Sequence, residues 1–440
     1  MKVGAAQIDI TPEPGCELSG FAARMQPSKG VLDPLHARCL YLWDGPDRLL
    51  WINSDLVGYT REFIDEFRQW ARQRFNLAYS QVMLSATHTL SGPAAIEIIE
   101  AGRYDPAYVR FLQGRLQEVA ERAFANAETR TPVFVEGHCE LAIDRRRKAT
   151  ARTDPRVAAI GFRRDDGTFA AVLTNYAMQA VALGPHNRMI SADTPGRTAA
   201  VLSRRLPGHP VVVTTNGACG NLNPPYENVT AEQLSRWGTQ VAEAVVDQLI
   251  HAEPMRDCTL RTTSRLVFLP LEVLTVSQIN KLIERYACHA PSIGEWGERY
   301  RRALEHWRRS RIEDVQSGQG TTATEMELFG VRIGSVAMLG VNAEVFSAFT
   351  DLVREATGRD VYTVGYANGV CGYLPPIAAY DEGGYEVETA HFFYNSFRFK
   401  QGGLEQLVEE SASLVGSLFK QRAQTNTALS ECKYYSPASP

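Results

Sequence analysis

Apolar residues along this chain come in short runs that stop abruptly at polar, loop-forming residues. Runs at 39–43, 49–52, 82–84, 133–136, 157–162, 170–174, 211–214, 336–341 and 361–364 predict buried β-strands. Stretches with a helical period lie between them. Phe63, Phe67 and Trp70, with Arg and Glu interleaved, predict a surface helix over 61–75. Tyr108, Leu112, Leu116 and Val119 predict another over 106–124, and further helices are expected near 197–205 and over 231–249. The stripe Leu404, Leu407, Val408, Leu414, Val415 and Leu418 predicts a helix over 404–419. Strands alternating with amphipathic helices point to an α/β chain.

Residues 276–315 read as a helical insertion, with Trp296, Tyr300, Leu304 and Trp307 at helical spacing. Six arginines are interleaved with these aromatics, which raises the question of a nucleic-acid surface. Glu298, Glu305 and Glu313 offset them, so a solvated face laced with ion pairs is the expectation. The tail over 425–440 has no periodicity and is expected to be disordered. The sequence shows neither an internal repeat nor a low-complexity linker, which predicts a single domain over 1–424.

Composition narrows the functional classes. At 440 residues, 44% apolar and 22% charged, with a net charge of −4, the chain has no global pull toward nucleic acid or anionic membrane. No apolar run approaches the ~18 residues of a membrane span, and the first residues lack the apolar stretch of a signal peptide. The eight cysteines are scattered without CxxC spacing, which suits reduced thiols. The expectation is a soluble cytoplasmic protein with a small-molecule substrate and neither a nucleic-acid nor a membrane partner. Oligomeric state is left open.

The candidate chemistry lies where the strands end. Six apolar runs empty into polar residues on loops: Asp55, His88, Gln179, Asn221 with Asn223, Glu344 and Tyr373. Open α/β sheets keep their ligands at the carboxyl ends of their strands. Convergence of the six would place nitrogen and oxygen donors of the kind Zn²⁺ takes at one sheet end. Each also has a plain structural reading: His88 bonding its own loop, Glu344 capping a helix, Tyr373 packing in a wall.

Thr87-His88-Thr89-Leu90-Ser91-Gly92-Pro93 resembles the THTHSGP motif of the neutral/alkaline non-lysosomal ceramidase family. Asn53-Ser54-Asp55, Asp144-Arg145, the segment from Tyr176 through Asp193, Gly217 through Pro224, and Gly372-Tyr373 through Tyr385-Glu386 follow that family's segments in order. The similarity spans nearly the whole chain apart from about 255–325. The resemblance implies an α/β catalytic domain of mixed β-sheets flanked by helices and a zinc amidase that cleaves the N-acyl bond of ceramide. It implies metal ligands at His88, Glu344 and Tyr373, a pocket arginine at Arg145, and substrate contacts from Asp55, Gln179, Asn221, Asn223 and Tyr385. The motifs are degenerate, however. The family's second metal histidine falls on Gln179, another motif histidine on Leu90, the serine credited as nucleophile on Asn223, and an aspartate on Asn221.

Losing the hydroxyl nucleophile and an acid/base partner together is not what a working ceramidase tolerates. The expectation is therefore an enzyme with altered chemistry at a carbonyl centre of a small soluble substrate: acyl transfer, condensation or cyclisation of a biosynthetic intermediate. His88, Glu344, Tyr373 and Arg145 are its candidate catalytic residues. Zinc binding would be weakened, and no tightly bound cofactor is expected. The alternatives are a zinc-dependent N-acyl amidase with a weakened metal site and a catalytically inactive binding homologue.

Overall fold

The computed structural model describes residues 1–146, 151–318 and 320–420, without the side chains of residues 291 and 293. The tail over 425–440 and the basic residues Arg147 and Lys148 lie outside the described residues.

Three mixed sheets carry the fold. In the first, the order is Val82–Ala86, Arg48–Ser54, His36–Trp43, Lys2–Asp9, with the short Glu128–Thr129 at the far edge. The second runs Val211–Asn216, Phe169–Tyr176, Arg156–Arg163, Thr131–His138, and the third Val361–Val364, Val336–Val341, Ala323–Ile333, Leu260–Pro270. All three repeat one connectivity. A strand at or next to the sheet edge leads through a long connection into an antiparallel hairpin. A helix then returns the chain to a strand parallel to the last hairpin strand, and a second helix follows. The parallel pairs are Arg48–Ser54 with Val82–Ala86, Phe169–Tyr176 with Val211–Asn216, and Val336–Val341 with Val361–Val364. The expectation of no internal repeat is thus corrected at the level of topology. It was invisible in the sequence because the long connections differ in length and no residue pattern is shared.

The sheets turn one face to each other. Leu40, Trp51 and Met83 from the first, Ile160, Leu173 and Val213 from the second, and Phe329, Met338 and Val364 from the third form a single buried cluster. Helices cover the outer faces. Inner strands are therefore buried on both sides and read as continuous apolar runs, as in His36–Trp43, of which only the end residues are part-exposed. Outer strands keep an alternating pattern, as in Lys2–Asp9, covered at the edge only by the short Glu128–Thr129, and in Thr131–His138. Leu260–Pro270 is mostly part-exposed, and the region around it gave no strand signal. It pairs along its whole length with Ala323–Ile333, so the helical insertion sits between the two strands of a hairpin.

Local signals set the helix starts. Thr60 accepts from the Phe63 N–H, Thr230 from Gln233, and Thr275 with Gln278 makes a capping box. The helix expected near 197–205 begins earlier, at Asp193. The insertion forms Val276–Ala287 and Gly297–Ser317, with Arg301 paired to Glu298 and Arg308 to Glu305 on its outer face. Among the described residues no helix is long and apolar enough to cross a membrane.

Candidate functional site

The parallel pairs of the three sheets point their carboxyl ends at one region. Ala86 leads to His88, Tyr176 to Gln179, Asn216 to Asn223, Val341 to Glu344 and Val364 to Tyr373. Side-chain amides tie these ends together. Asn216 Nδ2 donates to the carbonyls of Thr87 and Met178, and Asn368 Oδ1 accepts from the Leu84 N–H. Gly220 lets the loop after Val211–Asn216 close on the Glu344 backbone. A Cβ there would lie 2.4 Å from the Glu344 carbonyl oxygen, so only glycine fits.

His88 is 3% exposed and has a left-handed backbone, φ 54°, a conformation that costs a non-glycine residue about 1 kcal/mol or more. Its ring stacks on Tyr366 with centroids 3.9 Å apart. Nδ1 lies 2.6 Å from the Val57 carbonyl oxygen. A carbonyl only accepts, so Nδ1 carries the proton and Nε2 a lone pair. Nε2 is 3.6 Å from Glu344 Oε2. Burial lowers the His88 pKa; the Glu344 carboxylate pulls it up and does not offset this.

Glu344 is 1% exposed. Its carboxylate accepts from the Tyr394 hydroxyl, from Tyr366 at 3.3 Å and from Gln179 Nε2 at 2.9 Å. Gln179 Oε1 accepts from Arg145 Nη1 at 3.0 Å. This fixes the amide: reversed, its NH₂ would face a guanidinium and its carbonyl a carboxylate. Gln179 Nε2 also reaches Tyr373 Oη at 3.4 Å. Burial, with the Glu344 charge adding to it, raises the pKa of Tyr373 and Tyr394 well above that of a free phenol, so both are neutral.

Arg145 lies under this floor. Nε meets Glu386 at 2.7 Å, Nη1 also donates to Asn223 Oδ1 at 3.1 Å, and Nη2 donates to the Gly220 carbonyl at 3.0 Å. Burial raises the Glu386 pKa, but Arg145 and Arg146 outweigh it and hold the carboxyl below its usual range.

These groups open onto a cavity of about 270 Å³. Its walls come from the long connection of each repeat: Phe21–Ala23 from the first, Arg145 from the second, and Trp296 from the helical insertion of the third. Leu90 occupies a wall position, packed on Gly20.

The cavity thus brings together His88, Arg145, Gln179, Asn223, Glu344, Tyr373 and Tyr385. Asp55 and Asn221 do not line it. Asp55 pairs with Arg38 at 2.8 Å, both buried, and accepts the His36 N–H. Asn221 bonds Asp144 and the Ser347 N–H and so holds a loop. Sequence reasoning missed Glu227, Trp296, Tyr366 and Tyr394. Glu227 follows the Asn223 loop by four residues, the one signal that was there to read. Trp296 looked like a core position of an insertion, and Tyr366 and Tyr394 lie in segments without period.

No family model matches the chain. Its structure superposes on neutral ceramidase from Pseudomonas aeruginosa with a TM-score of 0.70 and 16% identity, covering 97% of this chain and 76% of that one. A ceramidase complexed with C2 gives a TM-score of 0.72 at 16% identity, over 98% and 78%. The chain has the neutral ceramidase fold. The α/β architecture of mixed sheets read from the ceramidase-like motifs is therefore the observed one. Among the described residues of this ceramidase-like chain, no group of three or more His, Cys, Asp or Glu is placed to hold a metal ion.

Proposed function

We propose that the protein is an enzyme acting at a carbonyl centre of a small soluble substrate by acid–base chemistry. The observation that carries this reading is the locked His88: Nδ1–H is bound to the Val57 carbonyl, and the Nε2 lone pair faces the cavity beside Glu344. A buried neutral imidazole in this state accepts a proton, and a carboxylate 3.6 Å away stabilises the imidazolium that results. Tyr373 receives a hydrogen bond from Gln179, and its own O–H has no acceptor among the described residues. That proton is available to polarise a substrate carbonyl. Arg145 turns its N–H groups to Glu386, Gln179, Asn223, Gly220 and the Tyr373 oxygen, so its part is to position these groups rather than to touch substrate. His88 takes the proton of an attacking amine or hydroxyl as it adds to the carbonyl. Acyl transfer, condensation and cyclisation all use that step.

The donor set does not fit a catalytic zinc ion. Gln179 presents N–H bonds, not a lone pair, to Glu344 and Tyr373. The phenols are neutral, and Glu344 already accepts three donors. One observation favours the second reading, a zinc N-acyl amidase: a histidine whose Nδ1–H is held by a carbonyl is also oriented as metal-ligating histidines are. Incubation with a panel of small N-acyl and carbonyl compounds, read by mass spectrometry, tests the proposal. The wild type should form a product, and both H88Q and E344Q should fail to. Equal, mild effects at His88, Glu344, Tyr373 and Asn223 would instead support a binding protein.

A further inference from the structure

We infer that the cavity takes a small amine with an apolar body, its ammonium group held by the Glu227 carboxylate against aromatic walls. The inference rests on the reading of this cavity as the reactive site, and it adds the substrate class.

The charge balance comes first. Arg145 and Arg146 meet the two oxygens of Glu386 at 2.7 and 2.8 Å, and Arg146 also meets Glu382 at 3.2 Å. These contacts join two cations and two carboxylates behind the wall. Of the charged groups lining the cavity, Arg145 is in that set, and Glu344 and Glu227 are left. Glu227 accepts from Asn223 Nδ2 at 3.3 Å and makes no ion pair among the described residues; burial raises its pKa, and the more distant charge of Arg145 lowers it without offsetting this. Among the described residues lining the cavity, an anionic ligand would meet two carboxylates and no uncommitted guanidinium. A carboxylate facing a confined space without a counter-ion is stabilised most by a ligand that brings one.

The second observation is independent of charge. His88 is 3% exposed, its Nε2 opens onto the same cavity, and that atom has no hydrogen-bond donor among the described residues. With the Glu344 and Glu227 oxygens it makes a lining rich in acceptors, and the occupant must bring N–H or O–H donors. A primary ammonium brings three.

The walls choose between a cation and a neutral donor. Tyr373 and Tyr385 meet edge to face at 5.7 Å, and Tyr373 and Tyr394 at 6.3 Å, with Phe393, Trp296 and Phe21 also lining the space. Aromatic faces attract a cation and cover an apolar body equally well. A polyhydroxylated neutral ligand would leave its hydroxyls unpaired against them. The volume of about 270 Å³ lies just below the roughly 300–1,000 Å³ of sites for drug-sized molecules, which calls for a smaller ligand.

Calorimetric titration of the full chain at pH 7.5 tests this with 2-phenylethylamine, 2-phenylethanol and phenylacetate. The amine should bind at least tenfold more tightly than either of the others. E227Q, its fold checked by circular dichroism, should lose that preference, and W296L should weaken all three. Phenylacetate binding as tightly as the amine, no binding by any of the three, or an unchanged preference in E227Q would each overturn the inference. The two readings fail separately. Amine binding without any turnover would leave this inference standing and remove the enzyme, whereas turnover of neutral substrates with no amine preference would do the reverse.

Discussion

Glu344 and Tyr373 are register partners in a two-residue parallel ladder, Glu344–Val345 against Tyr373–Leu374. The ladder continues, beyond a break, the parallel pair Val336–Val341 and Val361–Val364. Backbone pairing therefore fixes a carboxylate and a phenol side by side, and Gln179 bridges them through one amide nitrogen. The acid, the amide and the phenol act as a unit, so substitutions among them will not be additive.

Glu344→Gln removes the charge that stabilises a protonated His88. The expected loss of transition-state stabilisation is more than about 3 kcal/mol, the scale of a catalytic group, read as kcat/KM once a substrate is in hand. Asn223→Ala should leave measurable activity, because an amide is no nucleophile and among the described residues the Asn223 side chain bonds only Arg145 and Glu227. A covalent adduct trapped on residue 223 would overturn this assignment.

A second prediction concerns the contact between the first helix and the third sheet. Glu327, 2% exposed, meets Arg68 through two N–H donors at 2.6 and 2.9 Å and accepts from Asn368 at 3.1 Å. Arg61 Nη1, part-exposed, remains at 3.3 Å, so Arg68→Leu leaves the buried carboxylate partly compensated and should cost up to about 3 kcal/mol, the lower end for breaking a buried pair. Urea unfolding should show it as a lower midpoint with an unchanged slope. The double variant Arg68→Leu with Glu327→Leu should recover part of the loss.

Much of this architecture could be read from the chain. Strands such as His36–Trp43 and Val336–Val341 are buried on both faces, so they stand out as apolar runs, and the residue that ends each run marks the site. His88, Glu344 and Tyr373 were found that way. Leu260–Pro270 was not, since an edge strand with a part-exposed face has little apolar signal. Trp296, Tyr394 and Glu227 come from connections whose shape is set by what they pack against, and no spacing rule encodes that. The threefold topology has the same origin: backbone pairing repeats, and the side chains that would reveal it do not.

Acid stability should depend on His391. The half-buried ring meets Trp307 edge to face, and its shielded Nδ1 has no hydrogen-bond partner among the described residues. Burial lowers its pKa to about 3. Between that value and the unfolded pKa of about 6.5 the unfolded chain binds the extra proton, so stability falls as pH falls, by up to about 1.4 kcal/mol per pH unit. His391→Phe removes this dependence. The difference in unfolding free energy between the two proteins should move in favour of the variant as the pH drops from 6.5 toward 4. Taking the difference cancels the other titrating groups, including Asp193, whose pKa burial raises to about 6. A difference that stays constant over that range would show that His391 titrates normally.

The last prediction concerns zinc. A catalytic zinc site has three good protein ligands and an open position. Among the described residues lining the cavity His88 Nε2 is the single nitrogen lone pair, and Gln179 directs its N–H₂ at the two oxygens that would complete the set. Removing a nitrogen ligand also weakens the hold on the charge that would draw a proton from Tyr373, whose pKa burial has already raised. The two effects reinforce each other. Protein purified without chelator should hold well under one zinc per chain by elemental analysis, and dialysis should remove most of it. Gln179→His exchanges the N–H₂ for an imidazole that can turn a lone pair toward the same space. It also takes away the Arg145 acceptor, so Arg145 must find another partner. The variant should hold more zinc than the wild type and keep it longer on dialysis. One tightly held zinc per wild-type chain, required for activity and restored after stripping, would put the zinc amidase reading first.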